Sequence, residues 1–295
     1  SNEPARSTGC ALRLEETHMT PVPTKFVPSG EPLVLFFHGN SFPASTYNVM
    51  LNALRDRGMQ VKTLEKIGHN PAYPVTSNWP HLVEEVHAFA KPLIDVHTGS
   101  VVLVGHSLGG MLSLMLAAQY PALAHAVVMV DAPAVAGWQA NLLHLSKKLS
   151  LTAKYSPGAV SKKRRNQWGS LEEVRQHFGS KKNFARWQPQ VLEDYITHGT
   201  QEVTVNGQVT RALSFSRDIE TLIYNTVPHH LEGLIKRHPL KCPVSLVAAR
   251  HSQEMKLAGM EFTKRITKGR ITIIDGTHLV PMESPLATAA AVEAA

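Results

Sequence analysis

The sequence predicts an α/β fold with a mostly parallel sheet flanked by helices, and two features of the chain support this. Short apolar runs typical of buried strands alternate with segments of helical periodicity up to Asp131, and the alternation resumes after Pro243. Strands separated by helices pair in parallel, because a parallel pair needs a long crossover connection. Residues 132–242 interrupt the pattern and look mainly helical, so we expect an insertion at the carboxyl edge of the sheet.

The first strand, 33–37, is a continuous apolar run, as expected of a strand buried on both faces, and it stops at the turn His38-Gly39-Asn40. A helix over 46–57 closes at Gly58, and a short strand over 60–64 follows.

Apolar residues three and four positions apart predict the next helix over 79–94, with Asn78 as its cap and Pro80 in its first turn. Further apolar runs and helical stretches complete the first half of the sheet. These are the strand 101–104, the helix 108–119 and the strand 126–130.

Within the insertion, Asn206-Gly207 favours the tight turn of a hairpin over 203–209. The clearest helices of the insertion are 138–150, 170–178 and 189–197. After it we expect strands at 244–248 and 271–274, and helices at 252–267 and 284–293.

Composition excludes several classes of protein. The chain has 295 residues, of which 43% are hydrophobic and 18% charged, as in an ordinary globular protein rather than a disordered or fibrous one. No uncharged apolar run reaches the length of a membrane span, and no signal-peptide core follows Ser1-Asn2. Cys10 and Cys242 form no metal-binding spacing, so we expect neither a disulfide framework nor a zinc site, and a cytoplasmic location.

The most informative motif is Gly105-His106-Ser107-Leu108-Gly109, which fits G-x-S-x-G between a predicted strand and a predicted helix. Such a sharp turn strains the serine, and side chains two residues to either side would collide with each other. The turn would present the Ser107 hydroxyl beside the amino end of the helix, where N–H groups favour a developing negative charge. We interpret His106 as a structural residue.

At these residues the chain resembles the α/β-hydrolase family over about residues 30–295. The resemblance rests on His38-Gly39-Asn40, the turn 105–109 and Gly276-Thr277-His278, in that order. It implies a hydrolase core formed by 1–131 and 243–295, with 132–242 in the place of that family's cap.

A serine nucleophile needs a neighbouring base, and His278 lies on the loop after the last strand, where the family has its catalytic histidine. The family's common acid position, the loop after 244–248, holds no Asp. Asp131, 24 residues beyond Ser107, occupies the position used by haloalkane dehalogenases and certain acyl-CoA hydrolases. Asp131 is therefore the predicted acid, Glu254 the alternative, and a purely structural Asp131 a third interpretation.

The resemblance also implies an oxyanion hole made by backbone N–H groups of Leu108 and Asn40. Phe42 and Trp138 are candidate substrate-binding residues, although either side chain could instead serve packing.

A serine at position 107 argues against the dehalogenases and epoxide hydrolases of this family, which use an Asp nucleophile. We expect hydrolysis of an ester or thioester through an acyl-enzyme, without metal or organic cofactor. Hydrolysis of a carbon–carbon bond in a diketone on the same triad, and a ligand-binding protein without activity, remain open.

The net charge of +7 belongs to the insertion. Residues 132–242 hold 16 Lys and Arg against 8 Asp and Glu, whereas the rest of the chain holds 14 against 15. A small-molecule acyl substrate is the expected partner, and the basic insertion suggests an anionic one, or an anionic membrane surface. The basic run 162–165 lacks a nucleic-acid motif, so we expect no nucleic acid, and the sequence leaves the oligomeric state open.

Overall fold

A computed structural model describes residues 30–134 and 157–295, with no description of the side chains of residues 157–159. The strands are β1 (Leu33–Phe37), β2 (Gln60–Thr63), β3 (Val101–His106), β4 (Ala126–Val130), β5 (Gln167–Trp168), β6 (Thr200–Val205), β7 (Gln208–Leu213), β8 (Val244–Ala249) and β9 (Ile271–Ile274). The helices are α1 (Asn48–Arg55), α2 (Pro80–Asp95), α3 (Leu108–Gln119), α4 (Pro157–Lys163), α5 (Leu171–Gly179), α6 (Pro189–His198), α7 (Arg217–Asn225), α8 (Leu231–Arg237), α9 (Gln253–Ala258), α10 (Glu261–Thr267), α11 (Val280–Glu283) and α12 (Pro285–Glu293). A 3-10 turn over Ala44–Tyr47 leads into α1.

The large sheet confirms the predicted α/β class. Its strand order is β2-β1-β3-β4-β8-β9, and each neighbouring pair is parallel. Because all carboxyl ends of parallel strands lie at one edge, the loops after β1, β3, β4, β8 and β9 gather there, as ligand sites of open α/β sheets do.

The core is built around the central strands and α3. Every residue of β1 is buried, and α3 is buried from Leu108 to Ala118, which explains why its sequence is apolar on all sides. The loop after β1 and the turn before α3 therefore adjoin a fully buried strand and a buried helix.

A second sheet lies within residues 157–242, where the sequence indicated mainly helices. Its strand order is β5-β7-β6, with antiparallel pairing. The predicted hairpin is present around Asn206-Gly207, both with positive φ, but its strands extend further than 203–209. Aromatic rings of this part of the chain pack on the core loop after β1, with Trp187 and Tyr195 5.6 and 5.7 Å from the ring of Phe42.

The structure differs from the sequence prediction at two places along the chain. The helix predicted over 252–267 is divided in two at Gly259, which has φ +74°. Asn78 does not cap α2: Trp79 holds the cap position, and the Asn78 side chain accepts a hydrogen bond from the His229 N–H (3.0 Å). The predicted helix 138–150 lies outside the described residues.

Within the described ranges, no helix has the length and apolar character needed to cross a membrane.

Candidate active site

Ser107 lies at the tip of the turn between β3 and α3, in a conformation unusual for a residue with a side chain. Its φ is +51° and its ψ −113°. The backbone is held there on both sides, since the Ser107 N–H donates to the Val130 carbonyl and the Gly109 N–H to the His38 carbonyl, each at 3.1 Å. The strand–turn–helix geometry expected from the motif is therefore present, and it connects β1, β3 and β4.

The two glycines of the motif are required for different reasons. A Cβ on Gly105 would lie 2.1 Å from the carbonyl carbon of Gly109, as expected from a turn that folds back on itself. A Cβ on Gly109 would instead lie 1.9 Å from the carbonyl oxygen of Phe37. The second glycine thus permits α3 to cross the end of β1, a long-range reason that the motif alone does not reveal.

The structure brings Ser107, His278 and Asp131 together in one chain of hydrogen bonds. The Ser107 Oγ and the His278 Nε2 are 3.0 Å apart, and the His278 Nδ1 is 2.7 Å from the Asp131 Oδ2. Asp131 is fully buried, and its second oxygen accepts a hydrogen bond from the Ala249 N–H (2.8 Å). The carboxylate is thereby fixed in orientation, with one oxygen aimed at the imidazole.

Glu254, the alternative acid, reaches the same imidazole nitrogen at a longer distance. Its Oε2 lies 4.0 Å from the His278 Nδ1, and its side chain is 47% exposed. The geometry therefore places both carboxylates beside His278, but only Asp131 within hydrogen-bonding distance.

The backbone N–H groups of Asn40 and Leu108 have no hydrogen-bond acceptor among residues 30–134 and 157–295. Leu108 is the first residue of α3, where such unpaired N–H groups are expected. The Asn40 side chain is buried and donates to the carbonyl of Glu220 (3.0 Å), which ties the loop after β1 to α7.

His38, the first residue after β1, is a buried neutral imidazole. Its Nδ1 donates to the Gly39 carbonyl and its Nε2 accepts from the Ile67 N–H, both at 2.8 Å. Burial lowers the pKa of His38 to about 4. The hydrogen bond from Ile67 requires the unprotonated Nε2, so His38 joins the two loops only in its neutral form.

A buried ion pair stands behind the Asn40 loop. The carboxyl group of Glu220 is inaccessible to solvent, and the Arg164 Nη2 lies 2.9 Å from it. Burial raises the pKa of Glu220 to about 7, against the opposing effect of Arg164. This pair joins the residue directly after α4 to α7 beside the site, and nothing in the sequence spacing of the two residues pointed to it.

A cavity of about 640 Å³ opens directly on the serine. Its lining includes Asn40, Phe42, Ser107 and His278, and also the solvent-exposed Lys182 and Arg186. Trp138, the other candidate substrate-binding residue, lies outside the described residues. In the described part of the chain, no group of three or more His, Cys, Asp or Glu side chains is placed to hold a metal ion.

Two residues that sequence analysis did not connect with the site bind its loops together. Tyr47 and His106 are both buried, and their side chains are hydrogen-bonded to each other (2.8 Å). The motif indicates only a structural role for His106, and a polar ring at the end of a buried strand, directly before the serine, needs a hydrogen-bond partner. Tyr47 lies 59 residues away and carries no motif, so no signal in the sequence identified it.

The chain belongs to the alpha/beta hydrolase family. That family's sequence profile matches residues 34–291, which is most of the chain and includes the three loops that meet at Ser107. The predicted α/β-hydrolase fold and family membership are thus confirmed.

Two curated relatives match the chain over part of its length. A putative non-heme haloperoxidase of Mycobacterium phage D29 is 33% identical over 109 residues, 37% of this chain and 38% of the relative. A 2-(acetamidomethylene)succinate hydrolase of Mesorhizobium japonicum is 32% identical over 104 residues, 34% of this chain and 35% of the relative. The match therefore spans little more than a third of the length of these relatives.

A solved structure, the peroxisomal alpha-beta-hydrolase Lpx1 of Saccharomyces cerevisiae, shares the fold. It superimposes with a TM-score of 0.67 at 16% identity, covering 92% of this chain and 78% of the yeast chain. At that identity the similarity concerns the fold alone.

The low pKa of His38 predicts an acid-sensitive fold. In the unfolded chain the imidazole regains its ordinary pKa of 6.5, so that between pH 6.5 and about 4 the unfolded state binds the additional proton. The stabilisation is complete above pH 6.5 and is lost as the pH falls towards 4. Urea unfolding followed by fluorescence at several pH values should give a His38→Gln variant a shallower pH slope, by up to about 1.4 kcal/mol per pH unit.

The matched control is His198→Gln, at an exposed site, which should leave the wild-type slope unchanged. An equal slope in wild type and His38→Gln would contradict the assigned role of His38.

Proposed function

We propose that the protein is a serine hydrolase that cleaves a carboxylic ester or thioester through an acyl-enzyme. The observation that carries this proposal is the His278 imidazole, which is hydrogen-bonded at once to Ser107 on the strained turn and to buried Asp131. The cavity opens on the same serine, so a bound carbonyl carbon can approach the hydroxyl oxygen.

The reaction uses each side chain in turn. The Ser107 oxygen attacks the carbonyl carbon while the His278 Nε2 takes the hydroxyl proton, and Asp131 stabilises the resulting imidazolium through Nδ1. The tetrahedral intermediate collapses as His278 returns the proton to the leaving alcohol or thiol, which leaves Ser107 acylated. A water molecule, deprotonated by His278, then attacks the acyl carbon and releases the acid and the free serine.

The developing oxyanion needs two donors, and we assign this role to the N–H groups of Leu108 and Asn40. Both N–H groups lack a hydrogen-bond acceptor within the described residues. Leu108 directly follows Ser107, and Asn40 lies on the loop after β1, where the His38 carbonyl accepts a hydrogen bond from the Gly109 N–H. The positive end of the α3 dipole adds to the stabilisation of negative charge.

We further infer that residues 132–242 form a cap over the core segments 1–131 and 243–295, and that the substrate is anionic. In support, Lys182 and Arg186 of this segment stand at the cavity, and Arg186 lies 3.5 Å from Glu283, whereas Lys182 has no ion pair among the described residues. The relative named a 2-(acetamidomethylene)succinate hydrolase acts, by its name, on a succinate derivative, which is an anion. Hydrolysis of a carbon–carbon bond would use the same triad. The two reactions would differ in the substrate and not in the catalytic residues.

The proposed nucleophile predicts covalent labelling at one serine. A fluorophosphonate probe should label the folded protein at Ser107, and hydrolysis of p-nitrophenyl esters should fall by several orders of magnitude in Ser107→Ala. Ser180→Ala, an exposed serine that does not line the cavity, is the matched control and should behave as wild type. A folded protein that is not labelled would be a binding protein, contrary to this proposal.

The acid assignment is tested by two isosteric variants. Asp131→Asn should lower kcat by about four orders of magnitude, because the amide cannot stabilise the imidazolium and favours the wrong tautomer. Glu254→Gln should retain most of the wild-type kcat, since its carboxylate lies beyond hydrogen-bonding distance. Steady-state kinetics on one ester substrate measures both, and a larger loss in Glu254→Gln would reverse the assignment.

The anionic-substrate inference predicts a charge-dependent specificity constant. Lys182→Gln should lower kcat/KM for a carboxylate-bearing ester about tenfold at low salt and leave a neutral ester of similar size unaffected. Raising the ionic strength should reduce the difference, because salt screens exposed charges. Lys264→Gln, at an exposed site on α10 away from the cavity lining, is the control, and equal effects on both esters would exclude recognition of the anion.

A further inference from the structure

We propose that Tyr47 and His106 form a buried positioning relay. The relay holds two loops in fixed relation to Ser107: the loop after β1 that carries Gly39 and Asn40, called here the oxyanion-hole loop, and the loop after β9 that carries His278. The inference rests on the proposed function. Tyr47 and His106 would not act on the substrate as acid, base or nucleophile, but would position the residues that do. The inference is carried by three hydrogen bonds, of which one joins Tyr47 to Gly39 nearby in sequence and two join segments 59 and 172 residues apart.

The Tyr47 hydroxyl is the centre of the relay. Its oxygen accepts a hydrogen bond from the Gly39 N–H (2.9 Å) and lies 2.8 Å from the His106 Nδ1. Gly39 directly precedes Asn40, so the tyrosine fixes the peptide next to the proposed oxyanion donor. The ring is 1% exposed and packs against Phe36, with ring centres 4.8 Å apart, which leaves the hydroxyl little freedom.

His106 carries the connection from the serine turn to the histidine loop. Its Nε2 lies 2.8 Å from the backbone carbonyl oxygen of His278, an acceptor only. His106 must therefore donate from Nε2 and accept at Nδ1, and the only proton available for that bond is the hydroxyl proton of Tyr47. One set of proton positions satisfies all three bonds, and it requires a neutral His106.

The electrostatics of the interior maintain that neutral form. Burial lowers the pKa of His106 to about 3 and raises the pKa of Tyr47. Both groups therefore stay uncharged around neutral pH, so the relay holds its geometry throughout the proposed reaction.

Gly39 gives an independent indication that the loop is fitted to the relay. A Cβ on Gly39 would lie 2.7 Å from the His106 Nδ1 and 3.0 Å from the Tyr47 Oη. Only a residue without a side chain lets the oxyanion-hole loop pass this close over the two polar groups.

The relay determines where two parts of the catalytic machinery stand. Through Gly39 it positions the Asn40 N–H, and through the His278 carbonyl it positions the backbone that carries the imidazole. Displacement of a catalytic group by a fraction of an ångström lowers the rate of the chemical step more than it weakens substrate binding.

Tyr47→Phe tests the relay, because it keeps the ring and removes only the hydroxyl. We expect kcat for a p-nitrophenyl ester to fall at least about tenfold, with KM within about twofold of wild type. The rate should be expressed per active site titrated with a fluorophosphonate, so that a misfolded fraction does not count as lost activity. Tyr120→Phe is the matched control, since its ring stacks on His87 and its hydroxyl has no hydrogen-bond partner within the described chain.

A double-mutant cycle tests whether Tyr47 and His106 act as one unit. His106→Gln can retain a donor for the His278 carbonyl while losing the bond to Tyr47. The double variant should therefore have a kcat close to that of the less active single variant. Independent residues would instead give a fold-reduction in kcat equal to the product of the two single fold-reductions. Thermal unfolding of each variant identifies proteins that are folded at the assay temperature, and the cycle is evaluated on those.

The outcomes separate this inference from the proposed function. If Ser107→Ala removes esterase activity but Tyr47→Phe retains the wild-type kcat per titrated site, or loses activity only through KM, the relay is refuted and the serine hydrolase stands. Fully multiplicative effects in the cycle would refute it equally. If Ser107→Ala retains the activity, the proposed function itself fails.

Discussion

The close crossing of α3 over the end of β1 is the constraint on which the site depends. Gly109 passes so near the Phe37 carbonyl that any side chain would overlap with it, and its N–H donates to His38. This contact fixes the distance between the serine turn and the loop that carries Asn40. Because β4 pairs with β3 in the sheet, Asp131, the residue directly after β4, lies beside the turn that carries Ser107.

Around this crossing, the burial of histidine side chains determines which of them stay neutral and where their protons lie. A buried imidazole stays neutral, and a neutral imidazole has one donor and one acceptor, so its neighbours fix which nitrogen holds the proton. His38 and His106 are of this kind, and each connects two loops. His278 differs in being hydrogen-bonded to a buried carboxylate, that of Asp131, which stabilises a positive imidazole. The residue that must change charge in the proposed reaction is thus the one with a counter-charge.

The sequence was informative where function is encoded locally and uninformative where it depends on the packing of distant segments. Strand, turn and helix follow each other around Ser107, so periodicity and the two glycines predicted that region closely. His278 and Asp131 were predicted through the resemblance to the α/β-hydrolase family, from their positions after strands, and parallel strands bring such positions to one edge of the sheet. Tyr47 was not found, since its role exists only through contacts with residues 39 and 106, and the strands β5–β7 were underestimated because short two-sided polar strands carry a weak pattern.

The positive charge of residues 157–242 divides between two kinds of residue, which bears on how the cavity would attract an anion. The arginines here pair mostly with carboxylates, as Arg164 does with Glu220 and Arg175 with Glu193, so their charges are largely used in holding this part of the chain together. Lys181 and Lys182, which follow α5, form no ion pair among the described residues; Lys181 lies over the Phe178 ring, and Lys182 lines the cavity. An ammonium without an ion pair keeps its net positive charge beside the cavity, whereas the charge of a guanidinium held by a carboxylate is largely neutralised. The net charge of this segment therefore overstates the attraction for an anion that we propose, which among the described cavity-lining residues would rest mainly on Lys182.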